Sequence, residues 1–194
     1  MYVVIGAVHV AFTTVHIHCY PTLRCCSGRQ HQLMGPVPSC QGTIALIEAA
    51  QQRGVSAFVL ESSVLTGANT LGPLARLGYA ALNFGTNALD RKQEAEAALK
   101  AAAASSGGRF TYTIVRPAAL TNDAEEAVGV PYTGPADSIL GAQRVSRESV
   151  AALMVAALQQ PGAVNTTVEI ASKKGGVKQP EEQWFAATPV GASR

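Results

Sequence analysis

The stretch GTIALIEAAQQRGVSAFVLESS, from Gly42 to Ser63, decides the fold. Ile44, Ile47 and Ala50 recur at helical spacing, and Gly54 stands where a left-handed carboxyl-terminal cap is expected. Ala57, Phe58, Val59 and Leu60 then form an unbroken apolar run that ends at Glu61, Ser62 and Ser63. A strand open to water on one side alternates apolar with polar residues, whereas a continuous run suits a parallel strand covered by helices on both faces. The reading is therefore helix, tight turn, fully buried strand.

The same grammar extends in both directions. Tyr2 to Ala7 reads YVVIGA, a β-branched run closed by glycine, and predicts another buried strand. Val8 to Cys40 shows no sustained period and is expected to be loop, with room for another short strand. Downstream of a Gly-rich stretch from Gly67 to Gly85, residues from about Ala88 to Ala104 are strong helix formers, stopped by Ser105, Ser106, Gly107 and Gly108. Thr111 to Val115 predicts a third strand, ended by Arg116 and Pro117. A loop is expected up to Arg144. Ser146 then reads as a helix N-cap, with Val145 and Val150 spaced as a hydrophobic staple and Leu153, Met154, Ala157 and Leu158 on the same face. Pro161 and Gly162 stop that helix, Thr167 to Ile170 predicts a fourth strand with Glu169 on its polar side, and Glu181 to Ala187 predicts a short last helix containing Trp184. Alternating strands and helices predict an α/β domain with a parallel sheet, covered on both faces and joined by right-handed crossovers.

Composition narrows the classes of function. Fifteen basic residues against thirteen acidic ones, with no long basic run, leave no electrostatic footprint for nucleic acid. The longest apolar stretch, Tyr2 to Val15, falls short of the roughly 20 residues of a membrane-crossing helix, so no membrane span is expected. Met1 puts no positive charge ahead of this run, so secretion is not expected. All four Cys and all four His lie within the first 40 residues, so no disulfide framework spans the fold. His16, His18, Cys19, Cys25, Cys26, His31 and Cys40 offer zinc-ligand chemistry, but their spacing matches no standard site, and no metal is assigned.

Taken together, Gly42 to Ser63, KQEAEAAL (Lys92 to Leu99), YTIVRPAAL (Tyr112 to Leu120) and VSRESVAALM (Val145 to Met154) resemble the atypical short-chain dehydrogenase/reductases of the NAD(P)-binding, NmrA-like kind, in particular their plant and algal plastid branch. The resemblance implies a Rossmann-type, doubly wound sheet, here of about four or five strands, that holds NADP or NAD. It also implies a plastid location; without it a cytoplasmic one would be the default. A dinucleotide's pyrophosphate usually sits on a Gly-rich first turn at a helix N-terminus. No G-x-G-x-x-G occurs here, and the interval from Ala7 to Gly42 is too short for three βα units of roughly 30 residues each. Tyr2 to Ala7 is accordingly read as the family's fourth strand. Residues 1–41 form that strand plus an irregular segment, and 42–194 form the carboxyl-terminal part of the domain. An incomplete sheet leaves an edge open to self-association or a protein partner.

By the same resemblance, Lys92 is a ribose-hydroxyl ligand; the bland alternative is a solvated lysine among Asp90, Arg91, Glu94 and Glu96. The tyrosine that classical members of the superfamily carry four residues earlier is Ala88 here, and Tyr79 is too far back to share that helix turn. Catalytic residues are therefore left unassigned. Ser62 and Ser63 end a buried strand, at the edge where ligands of open α/β sheets collect, or simply satisfy the strand end. Pro117, Ala118, Ala119 and Leu120 line the nicotinamide side by resemblance or merely end their strand. Gly6 and Ala7 are the remaining candidates for cofactor contact. Arg116 either pairs with a phosphate or packs its stem and bonds nearby carbonyls. The expected function is an NAD(P)-binding reductase-like protein with weak or no turnover, the alternatives being a non-binding interaction subunit of the same fold and a zinc-dependent module.

Overall fold

A computed structural model describes residues 2–5, 40–70, 73–85, 87–139 and 143–186. Helix α1 (Cys40–Gln52) closes as the glycine predicts: the Val55 amide donates to the Ala50 carbonyl at 3.0 Å and Gly54 to Gln51 at 3.1 Å. Gly54 has φ +69°, a left-handed conformation that costs glycine little. The chain then enters β2 (Ala57–Glu61), which pairs in parallel with β1 (Tyr2–Ile5) and with β3 (Thr111–Pro117). β3 pairs in parallel with β7 (Thr166–Lys173), and β5 (Val130–Pro135) completes the order β1-β2-β3-β7-β5.

Both faces of this layer are buried, as the continuous apolar runs require. Phe58, Leu60 and Ile114 pack under Ile47 of α1 and Leu99 of α3 (Ala88–Ser105). Val59, Val115 and Val168 face the other way, onto Val150, Leu153 and Met154 of α5 (Arg147–Ala156) and onto Trp184. Burying each such side chain contributes roughly 1.5–3 kcal/mol. Ser146 caps α5 by accepting the Ser149 amide at 3.0 Å, while Val145 and Val150 are fully buried in one cluster.

Several expectations change. The sheet is not wholly parallel, because β5 runs antiparallel to β7. Pro131 and Pro135 cannot donate to a ladder on both sides, which suits them to the single pairing made there. The expected loop before Arg144 also contains β4 (Ala119–Thr121) and the short helix α4 (Glu125–Val128), and β4 forms a parallel pair with β6 (Arg144–Ser146), which directly follows that loop. The Gly-rich stretch folds into a 3-10 segment (Val64–Thr70) and helix α2 (Pro73–Asn83), whose first-turn proline needs no donor. Glu169, expected on a polar strand face, is fully buried. The last helix is a single 3-10 turn, Glu181–Gln183.

Candidate functional site

β2, β3 and β7 all end at one edge of the sheet, and the ladder continues one residue further as the Ser62 amide donates to the Val115 carbonyl at 2.7 Å. Helix α3 lies over this edge. Its buried face, Leu89, Ala95, Leu99 and Ala103, fixes its rotation, and Asn83 of α2 caps its start by accepting the Leu89 and Asp90 amides at 3.0 and 3.3 Å. So held, α3 carries Lys92 across the end of β2. Its Nζ donates to the Ser62 carbonyl at 3.0 Å and approaches that of Glu61 at 3.5 Å. Burial lowers the Lys92 pKa below that of free lysine, opposed by the nearby charges of Glu61 and Glu96. The solvated-lysine alternative does not hold for this side chain.

One turn along α3, Glu96 gathers four hydrogen bonds from three residues. Its Oε1 accepts the Ser62 hydroxyl at 2.5 Å, the Thr66 hydroxyl at 2.9 Å and Arg116 Nε at 3.0 Å, and its Oε2 accepts Arg116 Nη2 at 2.7 Å. Burial alone would raise the Glu96 pKa, but these bonds, those of Arg116 foremost, bring it below the usual glutamate value. Arg116 spends its remaining charge on Asp137, which accepts from Nη1 at 2.8 Å, and it stands in register with Glu169 on β7 at 4.0 Å. Glu169 in turn accepts the amides of Asp137, Ser138 and Ile139 at 2.9, 3.0 and 2.6 Å. Burial outweighs these bonds and raises its pKa. Arg116 is thus neither a phosphate ligand nor a carbonyl donor: carboxylates enclose it.

The expected site residues can now be located. Ser62, Ser63, Lys92 and the Pro117–Leu120 segment lie along the same edge. The Ser62 proton is committed to Glu96. The Ser63 carbonyl receives the Thr66 amide and hydroxyl at 3.2 and 2.9 Å. Pro117 pairs with Ile170, the Ala118 amide donates to the Ile170 carbonyl at 2.9 Å, and the Ala119 amide donates to Gln143 at 3.1 Å, so this segment's structural role is evident. Tyr79 reaches α3 through α2, where its hydroxyl donates to Asp90, and Asn83 Nδ2 donates to the same carboxylate at 2.7 Å. Those two bonds lower the Asp90 pKa. Gly6, Ala7 and the Cys/His segment up to residue 39 lie outside the described residues. Among the described residues no group of His, Cys, Asp or Glu could hold a metal, and no helix is long and apolar enough to cross a membrane.

The sequence does not mark Glu96, Thr66, Asp137 or Glu169 as site residues. Glu169 had a usable signal, a lone carboxylate within an apolar strand, which must find partners if buried. Asp137 had none, since its role depends on a loop reaching across the sheet.

A family model described as NAD(P)H-binding matches residues 9–161. The chain is 34% identical over 146 residues to an uncharacterized chloroplastic protein of Arabidopsis thaliana, a match that covers 75% of this chain and 49% of the relative. The chain therefore spans about half the length of that relative. Among solved structures it resembles the oxidoreductase YlbE of Lactococcus lactis, with a TM-score of 0.56 and 20% identity over 75% of this chain and 57% of that one. It also resembles a short-chain dehydrogenase/reductase of Veillonella parvula in complex with NADP, with a TM-score of 0.54 and 18% identity over 73% of this chain and 62% of that one. Both likenesses show a Rossmann-like fold.

Proposed function

The chain belongs to the NAD(P)H-binding family of atypical short-chain dehydrogenase/reductase-like proteins, and on that premise we propose that Lys92, Ser62 and Ser63 hold the ribose and nicotinamide end of the dinucleotide at the carboxyl edge of β2 and β3, with little or no turnover. The observation that carries this reading is the Lys92 ammonium, drawn from α3 onto the Ser62 carbonyl at 3.0 Å. An ammonium has three donors; two face carbonyls, which leaves one for a sugar hydroxyl. The donor set therefore fits a ribose. Gly6 and Ala7, next in sequence after β1, are proposed to lie against the rest of the cofactor, and residues 42–194 to form the carboxyl-terminal part of the binding domain.

When bound, the nicotinamide would supply a hydride. A reduction also needs a proton, and the chain's own groups argue for weak delivery. Ala88 occupies the position of the usual acid, the Ser62 proton rests on Glu96 and the Tyr79 proton on Asp90. NADP is the preferred form by resemblance, and the chloroplastic relative supports a plastid location. Pro117–Leu120 would border the nicotinamide through side chains and carbonyls, since the amides of Ala118 and Ala119 are already used.

Fluorescence titration of the purified chain with NADPH tests this reading. Saturable but weak binding is expected, weakened about tenfold in Lys92→Ala, with no NADPH consumed on adding carbonyl compounds. A well-folded chain that does not bind NADPH would overturn it in favour of a non-binding interaction subunit.

A further inference from the structure

A second feature lies at the far end of the same sheet edge. Where β7 ends, α4, β5 and the start of β6 border an open cavity of about 780 Å³. Ser172 lines it. This residue is only 9% exposed, and its Oγ is the one buried side-chain polar atom among the described residues with no hydrogen-bond partner. Buried hydroxyls nearly always find a partner, so an unpaired one on a residue that lines a cavity points to an oxygen supplied from outside the chain.

The charge around Ser172 is positive. Arg144, Lys173 and Lys174 line the cavity against a single carboxylate, Asp123. Arg144 stands 3.7 Å from Asp123 and donates to the Thr121 hydroxyl at 3.3 Å, so this pair is internally compensated. Neither lysine forms an ion pair with a described residue. Their backbone is held in place by a close approach that only glycine permits: Gly129 has φ +111°, and a Cβ there would stand 2.5 Å from the Lys173 carbonyl carbon and 2.6 Å from the Lys174 nitrogen. On the other side, the Gly176 amide donates to the Lys173 carbonyl at 3.2 Å. Ala127, Val128 and the Tyr132 ring supply an apolar wall.

We propose that this cavity binds a small organic anion, a carboxylate or phosphate monoester on an apolar body, held by Lys173 and Lys174 with a hydrogen bond from the Ser172 hydroxyl. The volume suits a molecule of ordinary ligand size. The site shares no residue with the Lys92 edge and stands independently of the dinucleotide reading.

Calorimetric titration of the full chain with phenyl phosphate and with benzoate, using benzyl alcohol as the neutral control, tests the assignment. At least one anion is expected to bind at one equivalent and about tenfold more tightly than the alcohol, and the double variant Lys173→Ala/Lys174→Ala should lose about tenfold in that affinity. Ser172→Ala should weaken anion binding while melting no lower than the natural chain, because its hydroxyl bonds nothing in the fold. NADPH affinity should be unchanged in both variants. Equal binding of alcohol and anions, or anion binding that survives loss of both lysines, would overturn the proposal. Loss of NADPH binding in the lysine variant would overturn it too, by making the cavity part of the dinucleotide site.

Discussion

Arg116 and Glu96 are joined by two parallel hydrogen bonds, Nε to Oε1 at 3.0 Å and Nη2 to Oε2 at 2.7 Å, with both side chains almost wholly out of water. Such a pair stabilises little relative to an apolar core, but breaking it strands a charge. Glu96→Ala should therefore destabilise the chain by about 3–5 kcal/mol, read from urea unfolding. A loss below about 1 kcal/mol would show that Asp137 and Glu169 alone satisfy the guanidinium.

The two buried glutamates should respond to acid in opposite ways. The Glu96 pKa is lowered on folding, so its contribution is complete above the ordinary glutamate value of 4.5 and is lost as pH falls through its folded value. The Glu169 pKa is raised, so the fold gains from protonating Glu169 as pH falls through a window above 4.5. Melting temperatures across the acid range should drop less steeply below that value in Glu96→Gln than in the natural chain. An identical slope in both would refute the assignment to Glu96.

Lys92 supplies a third test. Its pKa lies below that of free lysine because of burial. NADPH affinity should then weaken as pH rises toward the lysine range, earlier than for an exposed lysine, and this trend should vanish in Lys92→Ala. A fluorescence titration repeated from neutral to alkaline pH provides the comparison.

Two backbone positions separate a modest effect from a large one. Ser146→Ala removes the α5 cap and should cost about 1 kcal/mol in thermal unfolding. Gly129→Ala should cost more, since its methyl would collide with the main chain at Lys173 and no rotamer can relieve a contact with backbone.

Much of the architecture was legible because it depends on local pattern. The Gly54 cap, the buried β2 run, the span of α3 and the Ser146 cap follow from spacing and from the conformations that single residues allow. The direction of β5 was not legible: Val130–Pro135 contains two prolines and Gly134 and follows Gly129, and its strand character depends on β7 offering an edge. At the site, the resemblance drew attention to Lys92 and the two serines, and their convergence on one edge follows from sheet topology. The role of Arg116 was hidden, because a guanidinium can pair with a phosphate, a carbonyl or a carboxylate, and the choice depends on what residues 96, 137 and 169 bring to it from three distant parts of the chain.

That convergence has a mechanical consequence. Arg116 is bonded to α3 through Glu96 and to the 137–139 loop through Asp137, and the same loop is anchored to β7 by Glu169. If any of these elements peeled away alone, it would leave ionised groups desolvated and uncompensated, so partial opening approaches the free energy of global unfolding. Amide protons in all three segments should then exchange in concert, making this end of the sheet a stiff platform against which any incoming molecule must fit without help from local breathing.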